Sequence, residues 1–244
     1  MKIEFNVADL KDYDWLLKLF FLTDNLFKQR SLDNYPELVS LLKNSTDEEK
    51  VLLDFFKNFE KNHQKDLMSA KKLATNSWKS VENSLIKSLE KIHGVTIPRT
   101  IYSLISLSPV CPRFFEENTF YLFYRFDSEK IIDTILHEIS HFFFFEVFKS
   151  LFPEISSDQY GYPHLVWKLS EMVPGVVLKD PLIQNIFSRE EYSVYEVIPE
   201  IVVENELLLD HLQKLYVQRK DFSDFVEKAY AYVQKHERII ETYF

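Results

Sequence analysis

The chain reads as an α+β protein, mostly helical, with one small and largely antiparallel sheet. Three observations carry that expectation. Apolar residues recur at helical spacing through most of the 244 residues, while a few short runs are rich in β-forming aromatic residues or alternate in polarity. Only three glycines occur beside twenty-two phenylalanines, which argues against a loop-rich or repetitive chain and for a large packed core. Gly94 to Pro98 breaks the pattern, so the expected division is a helical region, 1–94, and a mixed region, 95–244, within two lobes or one compact domain.

The elements follow in order. Lys2 to Val7 alternates as a short strand, and Asp9 to Gln29 carries a helical stripe through Leu10, Trp15, Leu16, Leu19 and Phe20. Tyr35 to Leu42 and Thr46 to Glu60 are helices, the second opening on the capping sequence Thr46-Asp47-Glu48-Glu49. A Lys-rich amphipathic helix runs from about His63 to His93; no heptad is sustained, so it reads as a solvated face and not as a coiled coil. Thr100 to Leu107 and Thr119 to Phe126 are strands, joined through Pro109 to Asn118. Ile131 to Phe148 is a strongly apolar helix with Asp127 or Ser128 as its cap, and Pro163 to Val173 is another with Pro in its first turn. Helix is expected again from about Glu190 to Arg219, broken near Pro199, and from Phe222 to Tyr243.

Composition excludes several classes. A formal charge of −9, spread along the chain, disfavours binding to a phosphate backbone, so no nucleic-acid partner is expected. The single Cys111 forbids an internal disulfide and fits a reducing cytoplasm. No run of eighteen apolar residues and no signal-like start occur, so neither a membrane span nor export is expected. Oligomeric state is open.

Chemistry concentrates in His137-Glu138-Ile139-Ser140-His141. Four residues apart on a helix, the two imidazoles differ by roughly 40° in direction and can reach one metal ion, with Glu138 beside them. Neutral imidazole suits zinc, and a glutamate at this place can take a proton from water and pass it to a leaving group. From Thr134 to Phe145 the only charge is Glu138. The alternative is a surface helix whose His and Glu are solvated, but burying them among so many apolar neighbours is costly without a metal or hydrogen-bond partners.

The motif and its uncharged flanks resemble the zincin metallopeptidases. The likeness is close over about ten residues and extends only in general layout from Ile97 onward. The metzincin extension is absent, because Phe142 to Phe145 continue the helix, and the resemblance is therefore to gluzincins, small ones in particular. It implies a zincin-like fold, a zinc ion, a peptide or protein substrate, and a third ligand from a glutamate on a later helix. Glu171, in Trp167-Lys168-Leu169-Ser170-Glu171, is the first candidate. Glu146 points more than 100° away from His141 on the same helix. Glu196, Glu200 and Glu204, four apart, read as a solvated helical stripe, and Cys111 as a small buried apolar residue. The family commonly stabilises the oxyanion with a Tyr, His or Arg, which makes His164 the candidate catalytic donor, with Tyr160, Tyr162, Tyr192 and Tyr195 as alternatives. Thr119 to Phe126 would be an edge strand that binds extended peptide or else an ordinary core strand. Beside the peptidase stand two other expectations: an inactive binding module with structural or vestigial zinc, and a latent enzyme blocked by its N-terminal helices.

Overall fold

A computed structural model describes residues 1–9, 26–190, 192 and 194–244. The expected stripe through Leu10 and Phe20 lies outside the described residues. The architecture is α+β and mostly helical, with a small mixed sheet. Two compact units form, one from Met1, Lys79–Pro98 and Ile132–Phe244, the other from Lys2–Trp78 and Arg99–Ile131. Stretch 95–244 is thus shared between them, and the strands after Gly94 group with the N-terminal helices.

The second unit holds β1 (Lys2–Val7), α1 (Leu26–Asn34), α2 (Pro36–Lys43), α3 (Glu48–Asn62), α4 (Gln64–Lys79), β2 (Thr100–Ser106), β3 (Arg113–Phe114) and β4 (Thr119–Phe123). Strand order is β1-β2-β4-β3, with β1, β2 and β4 parallel and only β3 antiparallel. The expected antiparallel sheet is therefore corrected to a mostly parallel one. The parallel step from β1 to β2 is made through the helices between them, and that from β2 to β4 through residues 107–118, which include β3. Nor is β4 an edge strand, since β2 and β3 flank it. Along β2, Ile101, Ser103 and Ile105 are buried while Tyr102 is exposed, the period of two that half-covered strands show. Asp47, not Thr46, caps α3 by accepting the Lys50 amide. Tyr35 ties α2 to this core: its ring meets Phe55, Phe56 and Phe59 edge-on, and its hydroxyl donates to the Leu107 carbonyl.

The first unit holds α5 (Glu82–His93), α6 (Ser128–Leu151, of which Ile132 onward belongs here), α7 (Leu165–Val177), α8 (Pro181–Gln184), β5 (Val202–Val203), β6 (Glu206–Leu207), α9 (Leu208–Val217), α10 (Phe222–Lys235) and α11 (Glu237–Glu241). The long helix read from His63 to His93 is two helices, α4 and α5, and Gly94 ends α5 in the left-handed conformation at φ 69°. The helix expected from Glu190 to Arg219 is corrected as well. It gives a short 3-10 turn at Ile198–Glu200, the hairpin β5–β6 and then α9. Glu204 and Asn205 make the hairpin turn with φ of 51° and 67°, so Glu196, Glu200 and Glu204 form no helical stripe.

Candidate metal centre

Asp127 starts α6 by accepting the Lys130 amide at 2.8 Å. Every residue from Ile131 to Phe145 is buried, and Phe142, Phe143 and Phe144 have no exposed surface. At roughly 25 cal/mol per Å2, each such ring contributes about 2–3 kcal/mol to packing this helix. A helix apolar on all sides belongs in the interior, and its polar residues are carried in with it: Asp133, His137, Glu138 and His141 are at most 9% exposed.

The second contributor is α7. Its N-cap is His164, so Pro163 precedes the helix and does not stand in its first turn as expected. The helix continues through Pro174 to Val177, beyond the expected end at Val173. Proline removes one helical hydrogen bond, and burial of Val173, Val176 and Val177 offsets that loss. Gly175 allows close approach: a Cβ there would stand 2.9 Å from Val194 Cγ1 and 3.3 Å from Leu209 Cδ2. Packed this tightly, α7 holds Glu171 at 5% exposure.

Three ligand atoms converge. His137 Nε2 and His141 Nε2 are 3.0 Å apart, and Glu171 Oε2 lies 3.4 Å from the first and 3.9 Å from the second. Ligands bound at 2.0–2.1 Å in a tetrahedron are separated by about 3.3 Å, so these spacings match the edges of one coordination face. The donor set of two imidazoles and one carboxylate is also the type that suits zinc. The two rings meet edge-on, with centroids 4.7 Å apart and an interplanar angle of 73°, which turns both Nε2 atoms to the same side. Among the described residues, this is the group of three or more His, Cys, Asp and Glu that is arranged to hold a metal ion.

The other residues singled out by sequence fall elsewhere. Glu138 is buried next to His137, at 4% exposure. His164 is exposed at the N-cap of α7, seven residues or about 10 Å of helix rise from Glu171. Tyr192 donates its hydroxyl to the Phe187 carbonyl at 2.6 Å and accepts from Gln184 at 3.1 Å, which commits it to the loop. Burial first, and then the Asp133 carboxylate, push the Tyr192 phenol up to about 12. Tyr160 stacks on Phe145 at 4.5 Å, a packing role, and burial raises its phenol too. Glu146 is only partly buried, five residues past His141. Glu196 and Glu200 are exposed, and Glu204 pairs with Lys235 at 3.0 Å. Cys111 belongs to the other unit.

Two buried charged residues on the helices that carry the cluster escaped the sequence reading. Asp133 lies one turn before His137 on α6, and Lys168 three residues before Glu171 on α7, with 2% and 4% exposure. The available signal for Asp133 was its i, i+4 relation to the first histidine inside an apolar run. Lys168 had no such signal, because α7 has apolar residues on most of its circumference.

Fold and site together define an α+β protein carrying a buried two-histidine, one-glutamate cluster. A scan against protein-family models and searches of curated proteins and of solved structures find no match to this chain. No described helix is long and apolar enough to cross a membrane.

Proposed function

We propose that the chain is a zinc-dependent peptidase in which His137, His141 and Glu171 hold the metal and Glu138 moves the proton. The observation that carries this reading is the convergence within 3.9 Å of three ligand atoms from two helices, with His141 and Glu171 thirty residues apart in sequence. A zinc ion held there supplies Lewis acidity toward a peptide carbonyl and toward water. The Glu138 carboxylate takes the proton from the attacking water and delivers it to the departing amine, a contribution of about 10²–10⁴ in rate. The apolar walls of α6 exclude bulk water and strengthen each electrostatic contact inside. The resemblance of the His137–His141 motif to the gluzincins favours peptide or protein as substrate. Exposed His164 is left to contact substrate at most. The acidic chain favours neither nucleic acid nor anionic surfaces, and the lone cysteine fits a reducing compartment such as the cytoplasm.

Two measurements test the reading. Elemental analysis of the purified chain should find about one zinc per molecule. Glu138→Gln should keep that zinc and lose hydrolysis by at least about a hundredfold; equal turnover by the variant sinks the mechanism. The burial of all four residues favours a second reading from another class, a binding module with a structural metal. Zinc uptake by the full chain without hydrolysis of any member of a peptide library would select it over the active enzyme.

A further inference from the structure

One face of α7 leads away from the cluster into an aromatic patch. Trp167 precedes Glu171 by four residues, so the two project from the same face one turn apart, about 6 Å along the axis. Although α7 is otherwise packed into the core, Trp167 is only half-buried. Three rings meet it edge-on: Tyr162 at 5.2 Å, Tyr195 at 5.5 Å and Phe244 at 5.8 Å between centroids. Tyr195 and Phe244 stack on each other at 5.5 Å and 15°. Lys168 places its ammonium 5.2 Å from the Phe244 ring centre.

Phe244 differs from the other members in its origin. It follows the short helix α11 and is held to the rest of the unit through its neighbours: the Tyr243 amide donates to Ile240, and the Tyr243 hydroxyl accepts the Val202 amide. Its ring itself sits half-exposed against Trp167, Tyr195 and Lys168. Quadrupolar rings and a cation on one ring select an aromatic guest over an aliphatic one of the same size.

We propose that Trp167, Tyr195 and Lys168 form the side-chain subsite of the metal centre, that it takes an aromatic residue of the substrate, and that Phe244 fills it as an internal surrogate. This rests on the peptidase reading above. The distances are those of an extended peptide: successive residues advance about 3.4 Å, so a residue within one or two of the scissile bond reaches a shelf one helical turn from Glu171. Because a covalently attached ring competes at high local concentration, a free ligand meets the site only after Phe244 has left it.

The test uses N-acetyl-phenylalaninamide and its cyclohexylalanine counterpart, which has the same shape without the π-system, titrated by NMR into the full-length chain. Phe244→Ala should bind the phenylalanine probe at least tenfold more tightly than wild type, and the cyclohexyl probe at least threefold more weakly than the phenylalanine one. On the Phe244→Ala background, Trp167→Ala should abolish binding; Tyr195→Leu, a change at the rim, should weaken it and keeps the test standing if the Trp167 variant does not fold. Equal binding by wild type and Phe244→Ala, or equal binding of the two probes, overturns the subsite. Zinc content is measured on the same samples. Zinc taken up without selective ring binding overturns the subsite alone, whereas ring binding without zinc overturns the metal reading and with it this shelf as its subsite.

Discussion

Two buried polar groups of the same unit are built on opposite principles. At Asp180 the chain surrounds an anion with donors: the Leu182 amide at 2.9 Å, the Tyr216 hydroxyl at 2.7 Å and Arg219 Nη2 at 3.2 Å. Burial and that bond to Asp180 push the Tyr216 phenol far up, so it stays a donor at any ordinary pH. At residues 137, 141 and 171 the atoms that meet are two imidazole nitrogens and a carboxylate oxygen, all of which are metal ligands. The first group is completed by amino acids, whereas the second is a set that could hold a metal ion. What sets the two clusters apart is the balance of donors and acceptors, and not how deeply either is buried.

The sharpest way to break this comparison is through the metal. Zinc at a few hundred times its dissociation constant should stabilise the chain by about 3–4 kcal/mol, and a chelator should remove that gain. His141→Ala should eliminate the increment altogether. Thermal melts with and without chelator check both, and an unchanged midpoint would place the two clusters in the same class.

Acid should act beside the Asp180 group. His93 is packed between Phe143 and Phe222, with Nδ1 2.8 Å from the Leu89 carbonyl, and burial lowers its pKa to about 4. The unfolded chain binds this proton near pH 6.5 and the folded chain only near 4, so stability is full above 6.5, falls as pH drops toward 4, and is flat below. Across that window the loss attributable to His93 is about 3 kcal/mol. Urea titrations at pH 7 and pH 4.5 should show a smaller difference for His93→Gln than for wild type; an identical difference would remove His93 as the cause.

The smallest expected effect is that of Asp180→Ala. Leaving Arg219 and Tyr216 without their acceptor costs about 2 kcal/mol. That loss should be the same in zinc and in chelator. Dependence on zinc would show that the two groups are coupled, and their separation as structural and functional would fail.

Much of the site was legible because its first half is local. His137 and His141 are four apart in an uninterrupted apolar helix, and helical geometry alone brings their nitrogens together. Glu171 was named from a resemblance in Trp167 to Glu171; nothing local in those residues says that α7 folds back against α6. The misreading of 190–207 has a definite origin. Glutamates at intervals of four mimic a helical face, but Pro199 and the left-handed pair Glu204 and Asn205 favour a turn and hairpin. The sheet was misjudged for a similar reason. Thr100 to Ser106 and Thr119 to Phe123 look the same in either direction, and only the pairing of Tyr102 with Thr119 and Ser106 with Phe123 makes them parallel.

By itself the sequence determined the helical character of the chain, the strands at Lys2, Thr100 and Thr119, and the two histidines with Glu138 between them, because each depends on interactions within a few residues. Tertiary structure alone decided that Glu171 completes the cluster, that three of four sheet strands run parallel, and that Phe244 lies on Trp167. Those are contacts between residues far apart along the chain. Their free energy comes from burying surfaces that no local pattern pairs with one another.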